Sequence, residues 1–184
     1  MSDLSVLAIS GSLRQKSFNS ALLRAAKELA PEGMSIEIYA GLREIPPYDG
    51  DQDTDAPPAP VVDLRARIRA ADGLLIATPE YNYGVPGVLK NAIDWASRPA
   101  KGSSLEKKPI ALCGATPGAF GTVRAQTALR PTFLFTDSPV VGKPEVYVAK
   151  AAERFDGDLN LTDAKTREVL AELLKSLSAL IRKS

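Results

Sequence analysis

Between residues 73 and 98 the chain reads GLLIATPEYNYGVPGVLKNAIDWASR. Its first five residues are continuously apolar, which predicts a strand buried on both faces, and the stretch after Pro86 carries apolar residues at helical spacing. The segment between them, Thr78 to Gly87, holds two prolines and two glycines and so predicts a tight loop. Pro86 is expected as the first residue of the helix, where its fixed φ fits and its missing N–H is not needed. Strand, loop, helix is the unit of a parallel α/β sheet.

The same unit recurs on either side. Leu4–Ile9 (LSVLAI) is a short apolar strand ahead of SGSLRQKSFN at 10–19, and Ser20–Ala30 reads as a helix stopped by Pro31 and Gly33. Strand Ser35–Tyr39, a Pro- and Asp-rich loop from Gly41 to Pro60, and helix Val61–Ala71 lead into the strand Gly73–Ala77. After the helix Gly87–Ser97 come strand Ile110–Gly114, a helix from about Thr122 to Arg130, a strand around Glu145–Val148 and a final helix Thr162–Arg182. Five strands alternating with five helices predict a three-layer α/β sandwich, a parallel sheet of order 2-1-3-4-5 in a single domain. Ligands of such sheets sit at the carboxyl ends of strands 1 and 3, where the winding reverses. The loops 10–19 and 78–87 follow those two strands.

Composition narrows the chemistry. At 184 residues the chain suffices for one domain that buries roughly 70% of the surface its unfolded form exposes. With 45% hydrophobic and 24% charged residues it has the make-up of an ordinary globule. It has no histidine, which excludes serine–histidine and cysteine–histidine hydrolases and removes the commonest zinc ligand. The single Cys113 leaves no internal disulfide and is read as a small hydrophobe ending a buried strand. A net charge of +1, without a basic stripe, predicts no nucleic-acid partner, and Lys107-Lys108 is read as a solvated pair. No apolar run is long enough to span a bilayer and the first ten residues lack a signal-peptide pattern, so a cytoplasmic protein without a membrane partner is expected.

In the first loop Ser10, Ser12 and Ser17 supply hydroxyls, Arg14 a charged fork and Asn19 the start of a helix with its free amides. This chemistry suits a single terminal phosphate. Neither G-x-G-x-x-G nor G-x-x-x-x-G-K-[ST] is present, so a pyrophosphate turn and a nucleotide-hydrolysing loop are both unsupported. The competing reading is that Ser17 and Asn19 only cap the helix. In the second loop Tyr81 offers a flat wall and the backbone amides can face a planar, hydrogen-bonding ring. Trp95 and Ile93 are read as packing residues and Asp94 as a local partner.

Taken together, GSLRQKSFN and PEYNYGVPGVLKNAIDW resemble the NAD(P)H-dependent FMN reductase and quinone reductase family of flavodoxin-like proteins, over most of the chain in order and spacing. The resemblance implies an FMN phosphate held by Ser10, Ser12, Leu13, Arg14, Ser17 and Asn19. It implies a flavin ring and ribityl chain lined by Pro79, Glu80, Tyr81 and Asn82, and a last wall from the loop 116–121 with Thr116 and Gly118. It further implies NADPH or NADH as donor, hydride transfer to flavin N5, and a small-molecule acceptor such as a quinone, flavin, azo compound or chromate, by a ping-pong scheme without a catalytic side chain. A homodimer or homotetramer is expected, with an Arg124–Glu145 ion pair between subunits. The alternative is a flavodoxin-type electron carrier or binding module; carriers of that type are acidic with a threonine-rich phosphate loop, and neither trait is present.

Overall fold

A computed structural model describes residues 3–184. Five parallel strands form one sheet in the order β2-β1-β3-β4-β5: β1 Leu4–Ser10, β2 Met34–Ile38, β3 Gly73–Ala77, β4 Ile110–Ala115 and β5 Val146–Val148. The predicted order is the observed one. The helices are α1 Phe18–Glu28, α2 Ala59–Ala70, α3 Gly87–Ala96, α4 Val123–Leu129 and α5 Ala164–Ile181.

The continuous apolar runs of the strands divide by alternation into two cores. Val6 and Ala8, Leu75 and Ala77, and Ala111, Cys113 and Ala115 face α1 and α5. Leu7 and Ile9, Leu74 and Ile76, and Ile110 and Leu112 face α2, α3 and the segment after α4. The first face is built largely of small residues, which lets α1 approach the sheet closely. Both faces are covered, as a parallel sheet requires.

Trp95 is fully buried, as expected, and its indole N–H donates to the Pro46 carbonyl at 2.8 Å. Asn91 donates to the same oxygen, and buried Arg65 joins the Trp95 carbonyl to Asp53. These bonds tie the Pro- and Asp-rich segment, which contains two short 3₁₀ turns, onto α2 and α3.

Three local expectations are corrected. Pro86 keeps an extended ψ of 135° and caps α3, which begins at Gly87. The α4 segment starts one residue late because Thr122 has φ 68°, and it tightens to a 3₁₀ helix over Arg130–Thr136. Pro131 cannot donate the bond that an α-helix would need there. Lys108 is half-buried, not freely solvated: its ammonium donates to the Ala71 carbonyl, and burial lowers its pKa.

Cys113 is fully buried and burial pushes its thiol up to about 12, against 9 when exposed. Between those two values the unfolded chain releases a proton that the folded chain keeps, so folding stability falls as pH rises. The slope from this group is about 1.4 kcal/mol per pH unit. The unfolding free energy from urea titrations is expected to fall between pH 8.5 and 10.5 by about 2 kcal/mol less in Cys113→Ala than in the parent; equal drops would show that the thiol ionises in the folded protein.

Candidate active site

β1 and β3 end in register, Ser10 beside Ala77, and β4 runs two residues further to Ala115. Three loops therefore leave the sheet at neighbouring carboxyl ends. They enclose a cavity of about 50 Å³ lined by Ser12, Arg14, Ser17, Asn19, Glu80 and Thr116, with Phe18, Pro79, Tyr81, Ala115 and Pro117 completing it. Its volume is that of one or two waters, about 30 Å³ each. Such a space takes a compact tetrahedral group and leaves a larger planar one outside on the loops.

The first loop is held open as an anion cradle. Ser17 caps α1, accepting from the Asn19 and Ser20 amides at 3.2 and 3.3 Å, so the capping reading is right as far as it goes. Its hydroxyl proton remains available to a ligand. The backbone amides of Leu13 and Phe18 have no acceptor among the described residues, nor is Arg14 within 4 Å of a carboxylate. Unpaired N–H groups at a helix start beside a free guanidinium are the donor set a phosphate needs.

Asn19 lines the cavity in another capacity. Its Nδ2 donates to the Ala115 carbonyl and its Oδ1 accepts from the Ala115 amide, both at 2.9 Å. The side chain thus clamps the start of α1 to the end of β4, and contributes position to the site. Ser10 is bonded to Ser20, and Ser10 and Leu13 line a neighbouring cleft on the β2 side of the loop.

In the second loop, Tyr81 and Gly84 exchange amide–carbonyl bonds at 3.2 and 3.0 Å, with Asn82 and Tyr83 both at positive φ. This is a two-residue type I′ turn. Asn82 stands exposed at its tip and does not reach the cavity. Of the loop's backbone amides, that of Tyr81 closes the turn and is not free for a ligand; those of Glu80 and Asn82 have no acceptor among the described residues.

The Glu80 carboxylate turns toward α4. It accepts from the Arg124 and Ala125 amides at 3.0 and 3.2 Å and pairs with the Arg124 guanidinium at 3.0 Å. Glu80 supplies the N-terminal cap that Thr122 does not, and its charge is matched before any phosphate arrives. The same guanidinium lies between the rings of Tyr83 and Phe120, 4.2 and 4.0 Å from their centroids. Within the chain, then, Arg124 belongs to Glu80, while Glu145 accepts from the Tyr147 hydroxyl. Tyr81, Tyr83 and Phe120 are 46%, 72% and 57% exposed, an aromatic rim beside the cavity.

In the third loop Thr116 lines the cavity and accepts from the Gly118 amide at 3.3 Å. Gly118 itself lies outside, its carbonyl accepting from Lys150. Pro117 belongs to the loop expected as the last wall; Phe18 and Ala115 are additions, and their signal is adjacency, Phe18 following Ser17 and Ala115 preceding Thr116. A roomier hollow of about 530 Å³, between Arg130 and Val140, lies at the amino end of β4, away from the three loops; of its polar side chains, Arg130 and Ser138 are bonded to backbone carbonyls, and Asp137 also lines it.

A 2-1-3-4-5 parallel sheet with an anion cradle after β1 and further walls after β3 and β4 defines a flavodoxin-like protein. Residues 4–153 match the family model for NADPH-dependent FMN reductase, and the chain belongs to that family of oxidoreductases. It is 49% identical over 181 residues to an NAD(P)H-dependent FMN reductase of Pseudomonas aeruginosa, covering 98% of this chain and 97% of that one. A quinone reductase of Pseudomonas putida is 39% identical over 178 residues, 97% and 95% of the two chains. Among solved structures FerB, a flavoenzyme NAD(P)H:(acceptor) oxidoreductase from Paracoccus denitrificans, superimposes with a TM-score of 0.88 at 35% identity over 98% of both chains. FMN and a reduced nicotinamide, expected on sequence, are accordingly the cofactors of its family.

Proposed function

We propose that this chain is a single FMN-binding unit that reduces quinones and similar small acceptors with NADPH or NADH by a ping-pong scheme. The observation that carries the reading is the small cavity after β1, supplied with unpaired donors and bordered by the loops after β3 and β4. Bound FMN would supply the redox chemistry, with NAD(P)H, a proton and the quinone giving NAD(P)⁺ and the hydroquinone through alternate use of one ring face.

The residues have separable tasks. Ser12, Arg14 and Ser17, with the amides of Leu13 and Phe18, would hold the phosphate. Pro79, the Glu80 and Asn82 amides, Tyr81 and Thr116 would border the ribityl chain and ring, the amides favouring negative charge on the ring's pyrimidine edge. No histidine or other acid in the cavity is required, because solvent reaches the open face and can deliver the acceptor's proton. An open face also discriminates weakly among acceptors, which fits a range extending to flavins, azo compounds and chromate. Among the described residues no helix is long and apolar enough to cross a membrane, in keeping with action in the cytoplasm. The exposed aromatic rim is in keeping with a homodimer or homotetramer that covers it.

The test is anaerobic stopped-flow absorbance of FMN-loaded protein mixed with NADPH or NADH and then with benzoquinone. Full bleaching by a donor in one phase, followed by reoxidation by quinone, is the expected result. Failure of both donors to bleach the flavin would leave an electron carrier or binding module.

A further inference from the structure

The loop after β1 is anchored at its two ends and thinly held between them. The Gly11 amide donates to the Ala77 carbonyl at 2.8 Å, and Ser17 caps α1. The hydrogen bonds made within the loop are long, from the Ser12 amide to Ser10 Oγ and from the Arg14 amide to Ser12 Oγ, both at 3.4 Å. Among the hydrogen bonds of the described residues, one reaches residues 12–16 from elsewhere in the chain. Arg43, on the 3₁₀ turn Gly41–Glu44 after β2, donates to the Leu13 carbonyl at 2.7 Å. The Leu13 side chain also packs on the core beneath it. An apolar contact has no direction, so the tilt of the peptide is left to the hydrogen bond.

The peptide between Leu13 and Arg14 carries this hold inward. Its carbonyl accepts from Arg43, its N–H donates to Ser12 Oγ, and Ser12 lines the cavity. A hydroxyl that accepts from the backbone keeps its own proton for a ligand, and hydrogen bonds in such a chain polarise one another. Arg43 is exposed and is not among the cavity's walls. It lies within 4 Å of no carboxylate among the described residues, so no neighbouring carboxylate competes with Leu13 for the guanidinium.

We infer that Arg43 is a positioning residue for phosphate recognition. From outside the cavity, through the Leu13–Arg14 peptide, it sets the Ser12 hydroxyl and the Leu13 amide toward the phosphate, and so governs how strongly FMN is chosen over riboflavin. The inference rests on the proposed FMN-binding reading and adds to it the residue that shapes the cradle. FMN and riboflavin share the ring and the ribityl chain and differ in the terminal phosphate. A residue acting through this loop therefore changes the affinity for FMN alone.

Dissociation constants for FMN and for riboflavin, read from flavin fluorescence as the loaded protein is diluted, test this. In Arg43→Ala the FMN constant is expected to rise at least tenfold, the scale of a charge-assisted hydrogen bond, with the riboflavin constant within twofold of the parent and the urea midpoint unmoved. Arg43→Lys, which keeps a charged donor, is expected to recover at least threefold of the loss. In a Ser12→Ala background the removal of Arg43 is expected to cost at most threefold more, because the two residues act in series. An FMN constant within twofold of the parent in Arg43→Ala overturns the inference. A matching rise for riboflavin does so too, since it would make Arg43 a general brace of the site. Losses at Arg43 and Ser12 that simply multiply would place Arg43 on the phosphate itself and likewise overturn it. A parent that binds riboflavin as tightly as FMN is a separate failure, that of the FMN-phosphate reading, and takes the inference with it.

Discussion

Gly114→Ala is expected to lose about 3 kcal/mol of stability or more, enough to leave little folded protein in a domain whose total is about 5–15 kcal/mol. A Cβ at this position would lie 2.0 Å from Thr122 Oγ1 and 2.4 Å from the Thr78 carbonyl oxygen. The Thr78 carbonyl cannot yield, and the Thr122 hydroxyl can do so only by giving up a buried hydrogen bond. Thr78 is fully buried and its amide donates to the Cys113 carbonyl at 2.9 Å, inside the same sheet. Thr122 is equally buried, and its hydroxyl accepts from Gln126 at 3.0 Å. Rotation of one side chain would relieve the first overlap, but the second is with backbone. Any shift that accommodates the methyl must part the loop after β3 from the start of α4, so flavin affinity is expected to fall with stability. Urea unfolding at fixed pH measures the loss, with Gly157→Ala as a control because nothing lies within 4 Å of the Cβ it would add. A midpoint for Gly114→Ala equal to that of the control would show that the sheet yields where the packing says it cannot.

The second large effect concerns Asn19. Replacing it by alanine leaves the buried amide and carbonyl of Ala115 without partners, at about 1–3 kcal/mol each, so a loss of about 2–4 kcal/mol is expected. Asn19→Asp is expected to be worse at pH 8, because a buried carboxylate would face the Ala115 carbonyl with no proton to donate. Burial raises the pKa of such a carboxyl in the folded state, so protons bind the folded chain more tightly than the unfolded one. Stability of Asn19→Asp should therefore recover as pH falls toward 5, while Asn19→Ala shows no such recovery. Urea titrations of both variants at the two pH values make the comparison. FMN affinity should drop at least tenfold in each, since the phosphate loop and the third loop lose their shared anchor. A loss below 1 kcal/mol in Asn19→Ala, with FMN affinity intact, would mean that α1 docks on β4 without the clamp.

The fold was legible because β1, β3 and β4 are mainly apolar runs that end in loops of glycine, proline or serine, and β2 alternates apolar and polar residues. Only local boundaries moved: Pro86 by its extended ψ, Thr122 by its left-handed φ, and Pro131 by the hydrogen bond it cannot make. The site was legible in outline: Ser12, Arg14, Ser17, Asn19, Pro79, Glu80, Tyr81 and Thr116 do line one cavity. What each side chain does there was not legible. The amide of Asn19 finds its partners 96 residues away and the carboxylate of Glu80 finds its own 44 residues away. Residue type and loop position say which groups are present, and only the fold says which of them are already bonded. Asn82 and Gly118 illustrate the same limit, since turn geometry carries each away from a cavity that its neighbours enter.

The Glu80 cap also bears on the order in which the molecule assembles. α4 has seven residues, too few to persist alone, and its preceding threonine is in a left-handed conformation that gives no cap. Its first amides are satisfied by a carboxylate carried on the loop after β3. The helix can consolidate only after β3 and β4 have paired and brought that loop into place, so it belongs to the late, non-local part of folding. The third wall of the candidate site is therefore among the last pieces to form, and a ligand arriving early meets the loop after β1 with no far side to lean against.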